Sequence, residues 1–466
     1  MAQPNIVFCF ADQMRAQATG YAGDPNAETP TLDSLAGESI HFTHAVAGHP
    51  VCCPYRASLM TGQYPLTHGV YINDVPLENK VLSLAQAFAQ GGYDTAYIGK
   101  WHLYGSPDGG NGRRRAYIPR RFRQGFDYWR GFECNHDYMH SPYFADDDPL
   151  PRYWHGYDAV AQTEDACRYI QDHAGGEKPF LLMLSLGTPH DPYDCAPEAY
   201  LRRYRDRDIA LRPNVPAERR DAATASLRGY YAHIAALDDC VAQILTTLDE
   251  SGIAEETILI FTSDHGDMHE SQGLITKHVP FDESIRVPFL LRFPEQLGRQ
   301  ARELPLLIDA PDIMPTLLSL CGLPVPQSVE GRDFSAAIRG EAAVDGEMSA
   351  FLQVPAPYWI LRTQGIPEYR GVRTRQYTYA RNIHGPWLLF DNEADPYQLR
   401  NLCGDPAHAS LQRGLEEELQ GWLRRLGDEF LPGRAYLQRD GLMHYREANV
   451  PWGVRETPWT IAKEGE

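Results

Sequence analysis

Several residues able to do acid–base, metal-binding or nucleophilic chemistry follow directly on short apolar runs. Asp12 and Gln13 follow Asn5–Phe10, and Lys100, Trp101 and His102 follow Thr95–Ile98. Thr188-Pro189-His190-Asp191 follows Phe180–Leu186, and Ser263-Asp264-His265-Gly266 follows Thr257–Phe261. If these runs are strands of one sheet, they bring carboxylates, imidazoles and a lysine to one edge, which outlines a metal-plus-anion site. Asp12/Gln13 and Asp264/His265 repeat one form: a run, a carboxylate, then a second ligand. Oxygen donors with one imidazole suit a hard cation such as Ca²⁺, Mg²⁺ or Mn²⁺ better than zinc. Singly, Asp12 reads equally well as a helix cap and Asp264-His265-Gly266-Asp267 as a solvated turn. The repetition favours the metal site.

The sharpest feature is Cys52-Cys53-Pro54-Tyr55-Arg56-Ala57-Ser58-Leu59-Met60-Thr61-Gly62. A proline two residues after Cys52 places that cysteine at a helix N-terminus. Exposed amides and the helix dipole favour an anion there. Arg56, about one turn on, can fork onto an oxyanion. A buried structural cysteine and a thiolate nucleophile are the other readings of Cys52.

These residues need a scaffold that brings distant segments together. Short apolar runs, with Phe289–Phe293 as a fifth, alternate with helical stretches at Thr31–Gly37, Leu82–Gln90 and Tyr231–Ser251. The last carries an apolar stripe at Ile234, Leu237, Val241, Ile244 and Leu248. Alternation of this kind predicts an α/β fold, a large mainly parallel sheet sandwiched by helices. Ligands of such sheets bind at the carboxyl ends of the strands, where the residues above fall. Ser106 to Tyr157 lacks periodicity and reads as a long irregular excursion near the substrate face. Its Arg113-Arg114-Arg115, Arg120-Arg121 and His136–Tyr143 could contact an aryl or sugar group, His136 and His140 among them. The favoured reading is a solvated basic loop with packed aromatics. From about Asp345 the character changes. Arg370–Arg381 and Trp387–Asp391 read as strands joined by a turn at His384-Gly385-Pro386, and Leu411–Leu426 as a helix. We therefore expect a catalytic domain over 1–344 and a small α+β subdomain over 345–466. Its tail from Gln438 reads as an arm that could pack on a second copy and form a homo-oligomer.

Composition narrows the partners. The 466 residues carry a formal charge of −19, which disfavours nucleic acid and anionic membrane as partners. No apolar stretch is long enough to span a bilayer. The opening strand begins almost at once, with no signal-peptide pattern. With nine scattered cysteines, that predicts a reducing, cytoplasmic setting.

The Cys52 segment resembles the sulfatase signature, Cys-x-Pro-x-Arg followed by Leu-x-Thr-Gly, in formylglycine-dependent (type I) sulfatases of the alkaline phosphatase superfamily. The resemblance extends to Asp12-Gln13, Gly91-Gly92-Tyr93 through Gly99-Lys100-Trp101-His102, Pro189-His190, Ser263-Asp264-His265-Gly266 and Lys277-His278. It continues through Leu389-Phe390-Asp391, Asp395-Pro396 and Asn401-Leu402. It implies hydrolysis of an aryl or sugar sulfate, a small-molecule ester, to alcohol and inorganic sulfate. It further implies that a formylglycine-generating enzyme oxidises Cys52, not Cys53, and that the hydrated aldehyde attacks sulfur and then expels sulfate. Asp12, Gln13, Asp264 and His265 are the implied ligands of one divalent metal, Ca²⁺ first, with Mn²⁺ or Mg²⁺ as alternatives. Arg56 and Lys100 are implied to hold the nucleophile and neutralise charge. His102 is implied as the base of the second half-reaction. His190 and Lys277 are implied to bind sulfate and protonate the leaving oxygen. Two positions depart from the pattern. Tyr55 stands where a small residue is usual, and Gln13 where a second Asp is common. Gln13 also resembles phosphonate monoester and phosphate diester hydrolases of the superfamily, which makes that activity the competing reading. A non-catalytic binding protein with unmodified Cys52 is the third.

Overall fold

The computed structural model describes residues 3–343, 348–357 and 365–445. Ten strands form one sheet: β1 (Asn5–Asp12), β2 (Ile40–Phe42), β3 (Asp94–Lys100), β4 (Tyr128–Phe132), β5 (Pro142–Ala145), β6 (Arg152–Tyr153), β7 (Phe180–Pro189), β8 (Thr257–Ser263), β9 (Phe289–Arg292) and β10 (Arg302–Leu304). Their spatial order is β10-β2-β9-β8-β1-β7-β3-β4-β5-β6. The centre, from β8 to β4, is parallel, and β9, β5 and β6 run antiparallel to their neighbours. Continuous apolar strands are what two covered faces require. In β1, Ile6, Phe8 and Phe10 enter one core, and Val7, Cys9 and Ala11 the other. Helices Cys52–Thr61 and Ala310–Leu320 contribute to the first core, and helices Asp158–His173 and Arg220–Glu250 to the second. The mainly parallel, helix-sandwiched sheet expected from the sequence is present.

Two expectations change. The excursion after Ser106 is not wholly irregular: it supplies β4, β5 and β6, and β4 pairs in parallel with β3. In β4, Trp129 and Gly131 are buried between half-buried Tyr128 and Arg130, an alternation too short to stand out before buried Phe132. In the C-terminal part, a four-stranded antiparallel sheet is built from β11 (Ala350–Val354), β12 (Tyr369–Arg373), β13 (Tyr377–Asn382) and β14 (Gly385–Asp391). Arg370–Arg381 is therefore two strands with a turn between them, where Thr374 N–H and the Tyr377 carbonyl meet at 2.9 Å. Leu415, Leu419, Trp422 and Leu423 of helix Ala409–Leu426 pack against Phe351, Val372, Tyr379 and Leu389 of this sheet. The domain boundary expected near 344 and the tail beyond 445 lie outside the described residues. The tail's first residues fold back on their own chain: Tyr445 is buried in the first core, and a ring nitrogen of His444 lies 2.8 Å from the Pro107 carbonyl. No helix among the described residues is long and apolar enough to cross a membrane.

Candidate active site

The carboxyl ends of β1, β3, β7 and β8 meet at one buried point, and Arg56 ties them together. Its Nη2 donates to Asp12 Oδ2 at 2.9 Å, and its Nε to Asp264 Oδ2 at 3.2 Å. Its Nη1 donates to the Lys100 carbonyl at 2.9 Å and to Ser185 Oγ at 2.7 Å. The fork expected to grip an oxyanion is made onto two carboxylates instead, so Arg56 acts from beneath the site. Because each carboxylate spends Oδ2 on Arg56, each Oδ1 faces inward: His265 Nε2 lies 3.8 Å from Asp12 Oδ1 and 3.5 Å from Asp264 Oδ1. His265 Nδ1 lies 3.1 Å from the Gly266 carbonyl, which places its proton there and leaves Nε2 as an electron-pair donor.

Cys52 is the first residue of helix Cys52–Thr61, as the Pro54 spacing requires. Its Sγ lies 3.2 Å from His265 Nε2 and 3.7 Å from Asp12 Oδ1, and accepts from Lys277 Nζ at 3.3 Å. Lys277 Nζ also donates to Gln13 Oε1 at 2.7 Å, and Lys100 Nζ to Asp12 Oδ2 at 2.7 Å. Burial opposes ionisation of the Cys52 thiol, yet Lys277, Lys100 and His265 hold it well below its ordinary range. Burial instead pushes the neighbouring Cys53 thiol up to about 11. Burial also opposes ionisation of Asp12, as does Cys52, but Lys100, His190 and Arg56 outweigh both and hold its carboxyl low. Asp264 is pushed up, first by burial and then by the charge of Asp12. Arg56 and Lys100 compensate Asp12, so the repulsion between the two carboxylates falls mainly on Asp264.

Above this floor opens a cavity of about 550 Å³ lined by Gln13, Cys52, Lys100, His102, His190 and Lys277, among others. Several of its residues sit in the left-handed backbone region: Gln13 at φ +73°, His102 at +56° and His278 at +84°. Non-glycine residues reach that region at a cost, and such strain concentrates at functional sites.

The "Sulfatase" family model matches residues 4–323, and the model "N-sulphoglucosamine sulphohydrolase, C-terminal" matches residues 270–425. The chain belongs to the sulfatase family. It is 43% identical over 441 residues to an ulvan-active sulfatase of Formosa agariphila, covering 94% of this chain and 84% of that one. It is 32% identical over 488 residues to an endo-4-O-sulfatase of Bacteroides thetaiotaomicron, covering 91% and 92%. A solved Bacteroides thetaiotaomicron structure, from work on that organism's metabolism of multiple glycosaminoglycans, superposes with a TM-score of 0.83 at 29% identity, covering 96% and 100%. The chain is thus a sulfuric ester hydrolase on an alkaline phosphatase-like fold.

The family implies a divalent metal and a formylglycine, and the residues of this sulfatase fit both. Asp12, Asp264, His265 and Cys52 offer one donor atom each, all within 4.8 Å of one another and all buried. Among the described residues, Asp264 Oδ1 accepts only the Gln13 N–H, at 3.1 Å, and Asp12 Oδ1 only a long contact from Cys52 Sγ, at 3.7 Å. Both oxygens thus keep lone pairs free for a cation beside His265 Nε2. Gln13 borders the same cavity, but its carboxamide is engaged by Lys277, by Tyr193 Oη at 3.0 Å and by Asp267 Oδ2 at 2.5 Å.

Of the residues named from sequence, Cys52, Lys100, His102, His190, Lys277 and Gln13 line the sulfatase cavity. Asp12, Arg56, Asp264 and His265 lie beneath it. Tyr55 packs in the first core, so its bulk does not shape the cavity. His136 lines the cavity, its ring 4.5 Å from that of His190, whereas His140 is exposed. The basic run divides. Arg114 lines the cavity and grips Asp74 through Nε at 3.0 Å and Nη2 at 2.6 Å, while Arg120 is exposed and paired with acids. Sequence reasoning missed Asp74, which lies 3.4 Å from His102 Nε2, and also Cys134 and Tyr193, and it gave Asp191 and Asp267 no role of their own. Asp191 and Asp267 each lie within three residues of a named one, and that proximity was the available signal. Asp74 and Cys134 sit in loops with no pattern of their own.

Proposed function

We propose that this sulfatase removes sulfate from a sulfated saccharide, with Cys52 as the residue oxidised to formylglycine and Ca²⁺ as the bound ion. The observation that carries this reading is the convergence of Asp12, Asp264, His265 and Cys52 donors at a helix N-terminus flanked by Lys100 and Lys277. The oxygen-rich donor set favours a hard cation, and the saccharide follows from the two relatives, named for ulvan and for endo-4-O-sulfate. When bound, the cation would polarise a sulfate oxygen and acidify the nucleophile on residue 52.

This chain's own groups do the rest. Lys277, 3.3 Å from Sγ, and Lys100, at the other side of Asp12, are placed to neutralise charge that builds on sulfate oxygens in the transition state. His190, at the mouth, donates a proton to the leaving alcohol oxygen. His102 accepts the proton that residue 52 gives up as sulfate departs.

The test has two arms. Purified protein should release inorganic sulfate from a sugar sulfate or 4-nitrophenyl sulfate far faster than it hydrolyses bis(4-nitrophenyl) phosphate. The reverse ranking would favour the phosphonate or phosphodiester reading that Gln13 suggests. Mass spectrometry of the peptide containing Cys52 should show the aldehyde. An unmodified thiol in an active preparation would overturn the assignment of the nucleophile.

A further inference from the structure

A second cavity of about 440 Å³ adjoins the catalytic one, and Tyr193 and Ser226 line both. Tyr193 Oη, which accepts from Gln13 Nε2 at 3.0 Å, links the wall between them to the catalytic floor. One side of both cavities is helix Arg220–Glu250: Ala222 and Ser226 face the first, and Ser226 and Arg228 the second.

The charge here runs against the molecule as a whole. The chain carries −19, yet between Glu198 and Arg228 eight arginines stand against five carboxylates. Most of these arginines are paired: Arg205 with Glu198 at 2.7 Å, Arg207 with Glu28 at 2.8 Å, Arg212 with Glu283 at 2.7 Å. Arg228 differs. Its Nε and Nη2 both donate to the Arg207 carbonyl, at 3.2 and 2.9 Å, and among the described residues no carboxylate pairs with it. It is half-buried in the cavity wall, held in one orientation, with its charge uncompensated. Arg205 lines the same cavity, and its exposed pair with Glu198 is of a kind that exchanges cheaply for another anion. The one acid in the lining, Asp194, is exposed. An oriented guanidinium in a concave, positively biased site is suited to a carboxylate or sulfate.

We propose that this second cavity is a subsite for a further anionic group of the substrate, with Arg228 as its main contact. That group would be a sulfate or carboxylate on the saccharide unit next to the one that carries the scissile sulfate. The proposal rests on the sulfated-saccharide reading above and sharpens it: the preferred substrate is a polyanionic chain rather than an isolated monosulfate.

The test uses the metal-loaded enzyme turning over 4-nitrophenyl sulfate, a monosulfate with no second anionic group. Dextran sulfate and polygalacturonate are added as inhibitors, with neutral dextran as the control. In Arg228→Ala, kcat/KM for 4-nitrophenyl sulfate should stay within about twofold, while inhibition by at least one polyanion weakens about tenfold, the scale of one charge-assisted contact. Which polyanion responds tells sulfate from carboxylate recognition. Arg299→Ala, on an exposed cluster with Glu255 and Glu38, should change neither and controls for general charge. Equal inhibition of wild type and Arg228→Ala by both polyanions would overturn the proposal, as would an equal loss in both Arg variants. If the wild type releases sulfate from neither 4-nitrophenyl sulfate nor a sugar sulfate, the functional reading is what fails. Anisotropy of fluorescein-labelled dextran sulfate bound to wild type and Arg228→Ala then still decides the subsite.

Discussion

Two regions of this sulfatase bury an arginine completely among carboxylates, and they do so to opposite ends. In the C-terminal sheet, Arg370 on β12 meets Asp428, with Nη2 donating to Oδ1 at 3.2 Å and Nε to Oδ2, and its Nη1 donates to the Tyr369 carbonyl at 3.0 Å. The rings of Phe430 and Tyr436 close over the guanidinium at 4.8 and 5.7 Å. One charge faces one countercharge, and Asp428 fills its remaining valence with Tyr436 Oη and Phe430 N–H. In the catalytic floor, Arg56 meets two carboxylates, and the two inner Oδ1 atoms are turned toward each other and toward His265 Nε2. The first arrangement is closed and serves the fold. The second is held open and serves a ligand. Burial of an ion pair therefore says little about purpose; what tells is how far the protein fills each oxygen's bonding capacity. Asp428 Oδ1 takes three donors, whereas Asp264 Oδ1 takes the Gln13 N–H alone and Asp12 Oδ1 a long contact from Cys52 Sγ.

This contrast predicts that substitutions in the open region cost rate and little stability, and that those in the closed region do the reverse. The largest effect is expected at the nucleophile. Cys52→Ala should abolish turnover while its thermal unfolding temperature stays near that of the wild type. Cys53→Ala, at a position where the thiol is merely buried, should keep most activity. A dead Cys53→Ala beside an active Cys52→Ala would put the modification on the wrong cysteine. Next come the carboxylates. Asp12→Asn and Asp264→Asn should each lose bound divalent cation and nearly all rate, read by metal analysis and sulfate release. Because Asp264→Asn relieves the burial and repulsion that push that carboxyl up, this variant should not unfold earlier in the absence of metal. Undiminished metal in both would remove the site.

The division is also why one region was legible in the sequence and the other was not. Asp12, Lys100, His190 and Asp264 each follow a buried apolar strand, and a parallel sheet delivers such residues to one edge by construction. Cys52 was legible because Pro54 and Arg56 fix its place on a helix. The strand pair within Arg370–Arg381 was blurred into one run because Tyr369, Arg370 and Arg373 are all buried, which erases the alternation that marks an exposed strand. β4 does alternate, but its five residues lie inside a long stretch of Gly, Arg and aromatics that masks so short a pattern. Asp74 could not be foreseen, since its role depends on Arg114 arriving from a segment 40 residues away.

Smaller effects probe the edges of the contrast. His190→Ala should slow hydrolysis by about 10²–10⁴-fold for basic alcohol leaving groups and much less for acidic phenols, because only the former need a proton in the transition state. Equal penalties across leaving groups would mean that His190 binds sulfate and donates no proton. On the closed side, Asp428→Ala should cost about 3–5 kcal/mol of stability by stranding a buried guanidinium. Activity per folded molecule should be unchanged, measured by denaturant titration with activity normalised to the folded fraction. The double variant Arg370→Met/Asp428→Leu should recover most of that loss, since removing both charges leaves none unpaired. A double variant as unstable as the single one would show that the pair does more than neutralise itself.

The smallest expected effect lies where the two kinds of region meet. Asp74 is closed on one side by Arg114, which grips both its oxygens, and open on the other toward His102, 3.4 Å away. Burial opposes its ionisation, but His102 and Arg114 hold its carboxyl low. His102 itself has a left-handed backbone and, apart from this contact, unsatisfied ring nitrogens, so its ring orientation depends on what surrounds it. Asp74 is thus a positioning residue that acts through His102. Asp74→Asn keeps the shape and removes the charge, and should lower kcat by about 10–100-fold, the usual cost of losing a carboxylate that orients a functional imidazole. KM should not rise, because Arg114, released from its partner, adds positive charge to the cavity wall. In a His102→Ala background the same substitution should cost almost nothing further, since residues that act as a unit are not additive. A full independent loss in that background would place Asp74 in contact with the substrate, and would make the open side of the contrast one residue larger.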